Sequence, residues 1–490
     1  MDAVRAAAWS YAGVGIYVCL QFIANITIAR LLGPDAVGLF ALTLVVCGSL
    51  RLISDIGIGT ALIQVRDVGD SEIQGAFSAL AVTSLLCAAG LCFFADLLSH
   101  LFGDVHLGAL LRVVSATFFL YPIAVVSSSI LVRRLDQKMA QIASISGYLI
   151  GYLGVGLSCA LSGLGALSLA IGFVVQILVW TLVLYFAARP HLRFVFPNRD
   201  SRIFHSGSRA LVTNLSNWAI LNIDNIVVSR FFGATSLGHY TVAYNLMRTP
   251  VDHIVGTLQS VILPTASLVQ DDRERVSRGY IASLDAVWII TLPCFLTIAS
   301  LSNIIVTTLY GAGWEAAAPL MSAVAIGMPF LAISIVSSAV LWGSGGAERE
   351  LRIQVYSTVL FSLVIYSLAH VSLAILAWGV PLVYSIRAVW LLRSASSLFN
   401  LPGSRLGCSL TAGSLLSLVV CPPLYAVNHL FALPLSSGIL LSVCIAIAAL
   451  LWMCGFAIVG FRTASPEFQL GARMIASSIQ SRIARVTQRK

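Results

Sequence analysis

The stretch ANITIARLLGPDAVGLF (24–40) returns later in the chain as DNIVVSRFFGATSLGHY (224–240). At a fixed offset of 200 positions, Asn25 matches Asn225, Ile26 Ile226, Arg30 Arg230, Gly33 Gly233 and Gly38 Gly238, and Phe40 meets Tyr240. Each copy sits where one apolar stretch ends and the next begins. A duplicated pattern of this kind in a very apolar chain points to a transporter made of two helical bundles with a substrate path between them.

Composition agrees. Of the 490 residues, 58% are hydrophobic and 10% charged, and the mean hydropathy is +0.93. Apolar runs of about 20 residues recur along the whole length, enough to cross a hydrocarbon core of roughly 30 Å. Barrel strands would be shorter and alternating. The expected fold is therefore all-α and polytopic. The runs are 9–31, 37–62, 75–98, 108–131, 141–161, 163–187, 208–230, 237–263, 280–308, 316–342, 352–372, 374–394, 407–427 and 435–461, fourteen spans in all. The split around Val371–Leu373 is the least marked.

Positive charge orients these spans. With the N-terminus inside, the inner loops hold Arg66, then Arg133, Arg134 and Lys138, then Arg189, Arg193, Arg199, Arg202 and Arg209. Further along they hold Arg273, Arg275, Arg278, Arg349, Arg352, Arg393 and Arg405, with more in the tail. The outer loops near 99–107, 162, 309–315 and 428–434 have no Lys or Arg. Both termini are therefore expected in the cytoplasm. The net charge of +9 then serves orientation and contact with membrane lipids, not nucleic acid. The first run contains Gln21, Asn25 and Arg30 and reads as an uncleaved span. The ten cysteines form no CxxC, so no metal knuckle or disulfide framework is indicated.

The repeat divides the chain into 1–200, a six-helix bundle, 201–400, a second six-helix bundle, and 401–490, two extra spans and a basic tail. The polar stretch 188–207 is the expected linker. After Pro466, Phe468, Ile475, Ile479 and Ile483 share one helical face, the pattern of a helix lying on the inner membrane surface.

Enzyme motifs are absent. The two lysines, Lys138 and Lys490, lie in no P-loop, no HExxH occurs, and the glycines Gly343, Gly345 and Gly346 read as a turn. The chain is expected not to be an enzyme and to need no cofactor, with H+ or Na+ as candidate coupling ions. Attention falls on charges inside spans, which are costly unless they face a partner or a cavity. Arg51 lies in span 2 and Arg248 in span 8, thirteen residues past Gly38 and ten past Gly238. Each is followed four residues later by an aspartate, Asp55 or Asp252, on the same helical face. Either each pair is a structural ion pair, or the arginines form a cationic wall for an anionic substrate. Arg30 and Arg230 are repeat equivalents near span ends, read as headgroup anchors or substrate contacts. Asn25 in span 1, and Asn222, Asp224 and Asn225 in span 7, are cavity-lining or helix-pairing candidates. Arg112 and Arg387 are expected to snorkel from span ends. Asp55, Asp224 and Asp252 are the acids expected at depth.

ARLLGPDAVGLFAL (29–42) followed by LISDIGIGTALIQ (52–64), and NIDNIVVSRFFGATSLGHYTVAYNLMRTP (222–250) followed by LPTAS (263–267), resemble Wzx-type polysaccharide flippases. These belong to the multidrug/oligosaccharidyl-lipid/polysaccharide exporter superfamily. The resemblance implies two six-helix bundles, often with two further helices. It implies transfer of undecaprenyl-diphosphate-linked oligosaccharide between leaflets for exopolysaccharide, capsule or O-antigen synthesis. It also implies phosphate-binding arginines on the second and eighth helices, the places of Arg51 and Arg248. Candidate protein partners are a polysaccharide polymerase and a chain-length regulator. The rival readings are a cation-coupled small-molecule exporter of the same fold and, less favoured because the outer loops are short, a membrane glycan polymerase or ligase.

Overall fold

The computed structural model describes residues 2–55, 57–65, 69–134, 136–195, 202–268, 272–429, 437–456 and 464–470. Among these residues there is no strand. The helices are α1 (Asp2–Asp55), α2 (Ile58–Gln64), α3 (Asp70–Phe93), α4 (Ala95–Phe102), α5 (Leu107–Ser115), α6 (Thr117–Arg133), α7 (Gln137–Tyr148), α8 (Leu157–Leu161) and α9 (Ala166–Ala188). They continue as α10 (Arg202–Leu268), α11 (Arg273–Ser300), α12 (Ser302–Leu309), α13 (Ala317–Gly343), α14 (Ala347–Leu368), α15 (Leu373–Phe399), α16 (Gly403–His429) and α17 (Ser437–Gly455). A π-helical stretch, Leu149–Gly156, joins α7 to α8.

Two helices are too long for one crossing. At about 1.5 Å per residue, a straight α10 of 67 residues would run ~100 Å, three times a hydrocarbon core of about 30 Å. Both long helices break at a repeat glycine: Gly33 has φ 77° and ψ 175°, and Gly233 has φ 82° and ψ 178°. That backbone region is essentially closed to any residue with a Cβ. Ten helices among the described residues are long and apolar enough to cross a membrane, with α1 counted once, and the pair α5–α6, bent by 42°, makes an eleventh. With α1 and α10 each divided at its glycine, each of the fourteen expected spans overlaps a helix among the described residues, and the chain is a multi-pass membrane protein. The split near Val371 is sharp: α14 ends at Leu368, and the Ser372 hydroxyl accepts from the Ile375 amide at 3.2 Å to start α15.

The chain divides into two compact units, Met1–Thr241 and Val242–Lys490. The cut falls inside α10, beyond the linker expected at 188–207, of which 196–201 lie outside the described residues. One cause is visible in the first unit. A Cβ on Gly38 would lie 1.8 Å from the Ala234 carbonyl oxygen, and one on Gly238 would lie 1.9 Å from that of Pro34. The start of the arm after Gly233 is thus pressed against α1. Basic residues expected in inner loops cap helix ends here: Arg133 donates to the Leu62 and Val65 carbonyls, and Arg134 to that of Ala188. Such caps satisfy carbonyls that lack an intrahelical partner.

In the second unit, α13 is almost wholly buried between α11 and α15. The two last helices are fastened to α11. The Trp288 indole donates to the Leu410 carbonyl at 2.9 Å, the Trp452 indole to the Ile289 carbonyl at 3.3 Å, and the buried Asp285 accepts from the Ser465 amide at 2.8 Å. The helical face expected beyond Pro466 lies, from residue 471 on, outside the described residues, as does Arg66.

Candidate functional site

Arg51 stands on the second arm of α1, one turn before the helix ends at Asp55. Its guanidinium lies over the Tyr121 ring of α6, 4.8 Å from the centroid, a cation–π contact worth about 0.5–2 kcal/mol. Of the two readings of Arg51 and Asp55, the direct ion pair is not formed: no Arg51 nitrogen lies within 4.0 Å of the Asp55 carboxylate. The helix stops at Asp55, the chain turns through Gly57 (φ 74°), and the Asp55 carboxylate accepts instead from the Gly59 amide at 3.0 Å, in the first turn of α2. Both residues are helical, so the spacing is met; the carboxylate is instead turned toward the amide of the following helix. The end of α1 is also stitched to α3 through Ser54–Ser84 hydroxyls at 2.6 Å and Thr83 donating to the Ser54 carbonyl at 2.7 Å.

The repeat-related polar positions differ in the same unit. Asn25 is exposed and accepts from the Tyr148 hydroxyl at 3.2 Å. Asp224 is buried; its Oδ2 accepts from the Tyr240 hydroxyl at 2.7 Å, and its Oδ1 from the Asn225 amide at 2.9 Å. At the equivalent positions of the first copy stand Ala24 and Phe40, both buried and apolar. The carboxylate and the hydroxyl therefore occur together in one copy and are absent together from the other. Asn222 donates to the Trp218 carbonyl within its own helix at 2.9 Å. Arg30 and Arg230 are both exposed, which suits headgroup contact.

Arg248, in the second unit, does form its pair. Its Nε donates to the Asp252 carboxylate at 2.7 Å and its Nη1 to the Tyr244 hydroxyl at 3.4 Å. The Tyr244 and Tyr384 hydroxyls meet at 2.7 Å. One turn beyond Tyr384 on α15 lies Arg387. It does not snorkel: its side chain is 14% exposed, its Nη2 donates to Gln354 at 2.6 Å, and Glu350 approaches at 3.8 Å. Glu350 in turn accepts from the Ser338 hydroxyl and the Trp342 indole, both at 3.0 Å. The acids at depth are therefore more than Asp55, Asp224 and Asp252; Asp285 and Glu350 join them, while Asp252 is exposed. No group of three or more His, Cys, Asp or Glu that could hold a metal occurs among the described residues.

The sequence matches the family described as polysaccharide biosynthesis protein over residues 27–319. It is 27% identical over 308 residues to the succinoglycan biosynthesis transport protein ExoT of Rhizobium meliloti, an alignment covering 63% of this chain and 62% of that one. That is just under two thirds of the relative's length. It is 23% identical over 366 residues to the lipopolysaccharide biosynthesis protein WzxC of Escherichia coli, covering 73% of each. Among solved structures, the lipid II flippase MurJ in an inward closed conformation superposes with a TM-score of 0.70 at 16% identity, over 90% of this chain and 98% of that one. The likeness in fold thus extends well past residue 319, into the helices of the second unit. The chain belongs to the polysaccharide biosynthesis protein family, is helical without strands among the described residues, and shares its fold with the lipid II flippase.

Proposed function

We propose that the chain is a flippase that carries lipid-diphosphate-linked oligosaccharide across the bacterial inner membrane, and that both termini face the cytoplasm. The observation that carries this reading is Arg51: a half-buried guanidinium held by a tyrosine face and not ion-paired, in a chain of the polysaccharide biosynthesis family. A planar cation with donors to spare suits a phosphate, which it engages in bidentate fashion. Arg248 is the corresponding cation of the second repeat. Arg30 and Arg230 meet headgroups, and Asn25, Asn222, Asp224 and Asn225 shape the polar interior. The names of the relatives speak of polysaccharide biosynthesis and transport, which supports cargo rather than catalysis. Movement is driven by H+ or Na+ or by consumption of product outside, since no nucleotide motif exists. A polysaccharide polymerase and a chain-length regulator are its proposed protein partners.

The test is accumulation. In cells lacking the protein, labelled lipid-linked oligosaccharide should build up in the inner leaflet while surface polysaccharide disappears. Re-expression of the wild type should reverse both, and Arg51→Ala should not. Surface polysaccharide that persists without the protein would sink the reading.

A cation-coupled exporter of small molecules is the second reading, favoured by the buried Asp224 and Glu350. It predicts that removing the protein raises sensitivity to cationic drugs and leaves surface polysaccharide intact.

A further inference from the structure

The polar side chains of the second unit form a connected run through its interior. Asp252 binds Arg248, Arg248 reaches Tyr244, and Tyr244 meets Tyr384. Tyr384 and Arg387 lie three positions apart on α15, on one face. Arg387 binds Gln354 and approaches Glu350, which is held by Ser338 and Trp342 of α13. The helix α14 supplies its part through a buried stripe at helical spacing, Glu350, Gln354 and Ser357.

Within this run Arg387 is under-coordinated. A guanidinium has five donors. Here Nη2 has a hydrogen bond, while Nε is buried without one. The Glu350 oxygen at 3.8 Å is beyond hydrogen-bond distance. Neither carboxylate oxygen is idle, since Ser338 occupies Oε1 and Trp342 Oε2. Buried charge is tolerated when it is paired and its donors are bonded, and Arg387 meets only part of that condition. A second cation stands near it: Arg248 reaches Tyr244, Tyr244 meets Tyr384, and Tyr384 shares a face of α15 with Arg387. Two like charges in one neighbourhood and an unused buried donor together describe a place that gains from an anion.

We propose that Arg387 and Arg248 form an anion subsite for a phosphate-class group, with Glu350 as the resting counter-charge of Arg387. The inference rests on the flippase reading and deepens it. It assigns a diphosphate contact to α15, which the repeat does not single out, and gives Glu350 the task of holding the empty site neutral. When the anion enters, Arg387 exchanges a loose carboxylate contact for direct hydrogen bonds, and Glu350 keeps its two donors on α13.

The experiment uses the full chain purified in detergent, with farnesyl diphosphate and inorganic pyrophosphate as probes, read by isothermal titration. The wild type should bind farnesyl diphosphate, and the more tightly of the two. Arg387→Gln should weaken binding roughly tenfold or more, the value of a lost hydrogen bond to a charged group. Arg387→Lys should fall between, and Glu350→Gln should tighten binding by removing the competing charge. Arg112→Gln, which alters an exposed pair with Asp96, should bind as the wild type does. Because Arg387→Gln leaves Glu350 without its cation, the double change Glu350→Gln with Arg387→Gln guards against a folding artefact. Its binding should remain weak in protein that elutes as a single species. Wild-type affinity in that double variant, or in Arg387→Gln itself, overturns the subsite. If Arg248→Ala loses binding while Arg387→Gln keeps it, Arg387 is excluded and the flippase reading stands. If the wild type binds neither probe, both fall. Equal affinity for the two probes keeps the subsite, assigns it to a free phosphate, and counts against a lipid-borne substrate.

Discussion

Gly38 and Gly238 abut backbone to backbone, and each meets the other's repeat at the equivalent position. A Cβ on Gly38 would reach the Ala234 carbonyl and one on Gly238 the Pro34 carbonyl, and Ala234 is the repeat equivalent of Pro34. Between them the Thr235 hydroxyl donates to Asp35 at 3.0 Å, again two equivalent positions. Contacts in which i meets j while j meets i are those of a twofold axis, so a local pseudo-twofold passes between these glycines. The sequence repeat is thereby a structural one at this crossing.

Adding a methyl group at the axis should be costly. Gly38→Ala or Gly238→Ala puts a carbon within 2 Å of a backbone oxygen, which only a shift of helix can relieve, at about 1–3 kcal/mol or more. Gly33→Ala and Gly233→Ala act differently, forcing a residue with a Cβ into a glycine-only conformation at about 1–3 kcal/mol. Thermal unfolding of the purified protein, followed by intrinsic fluorescence, should show all four below the wild type. A wild-type melting curve for Gly38→Ala would refute the close approach.

The Asp224–Tyr240 bond offers a test of repeat logic. Tyr240→Phe removes a hydroxyl from a buried carboxylate and should destabilise by about 1–3 kcal/mol. Joining it with Asp224→Ala recreates the apolar pair Ala24–Phe40 of the first copy and should recover most of that loss. If the double variant is no more stable than the single one, the carboxylate is needed for something other than the tyrosine, and its place in a polar interior gains weight.

Arg51 and Arg248 should respond differently to loss of their aspartates. Asp55 serves the Gly59 amide, so Asp55→Ala should cost about 1 kcal/mol of stability, as lost helix caps do, and should not rescue Arg51→Ala. Asp252 serves Arg248, so Arg248→Ala with Asp252→Ala removes a whole pair. Both double variants should fail to restore surface polysaccharide if the arginines contact substrate. Arg→Lys at either position should restore it only partly, because charge survives and planar geometry does not. Export at wild-type level in the Arg248/Asp252 double variant would assign that pair to structure alone.

Orientation is open to a direct assay. Reporter fusions after Asn198 and Arg275 should read cytoplasmic and one after Gly313 periplasmic, because the outer loops hold no Lys or Arg. A cytoplasmic signal at Gly313 would invert the proposed topology.

The helices were legible in the sequence because a span needs about 20 apolar residues and little else. The breaks at Gly33 and Gly233 were legible because they repeat. The site was less so. An i,i+4 spacing offered Arg51–Asp55 as an ion pair, yet the Asp55 carboxylate is taken by the Gly59 amide beyond the turn and the Arg51 guanidinium by the Tyr121 ring. Glu350 was missed because it sits between Arg349 and Arg352 at the edge of a loop, and Arg387 was read as snorkelling because it lies near the end of an apolar run. The signal that separates them is periodicity, since 350, 354 and 357 share a helical face that Arg349 and Arg352 do not. Partners such as Tyr121 and Tyr384 come from distant helices, and no spacing rule brings them near.

The attachment of the last two helices to α11 has a consequence in time. Trp288 and its acceptor Leu410 are 122 positions apart, and Asp285 and Ser465 are 180 apart. At synthesis rates of about 5–20 residues per second, α11 is made roughly 6–36 s before those partners emerge. During that interval the Asp285 carboxyl and the Trp288 indole are without these hydrogen bonds. The second unit is therefore completed backwards, its earlier helix becoming settled only when the chain's end arrives. A protein cut after Phe399 would keep all twelve spans of the repeat and yet leave α11 permanently in that waiting state.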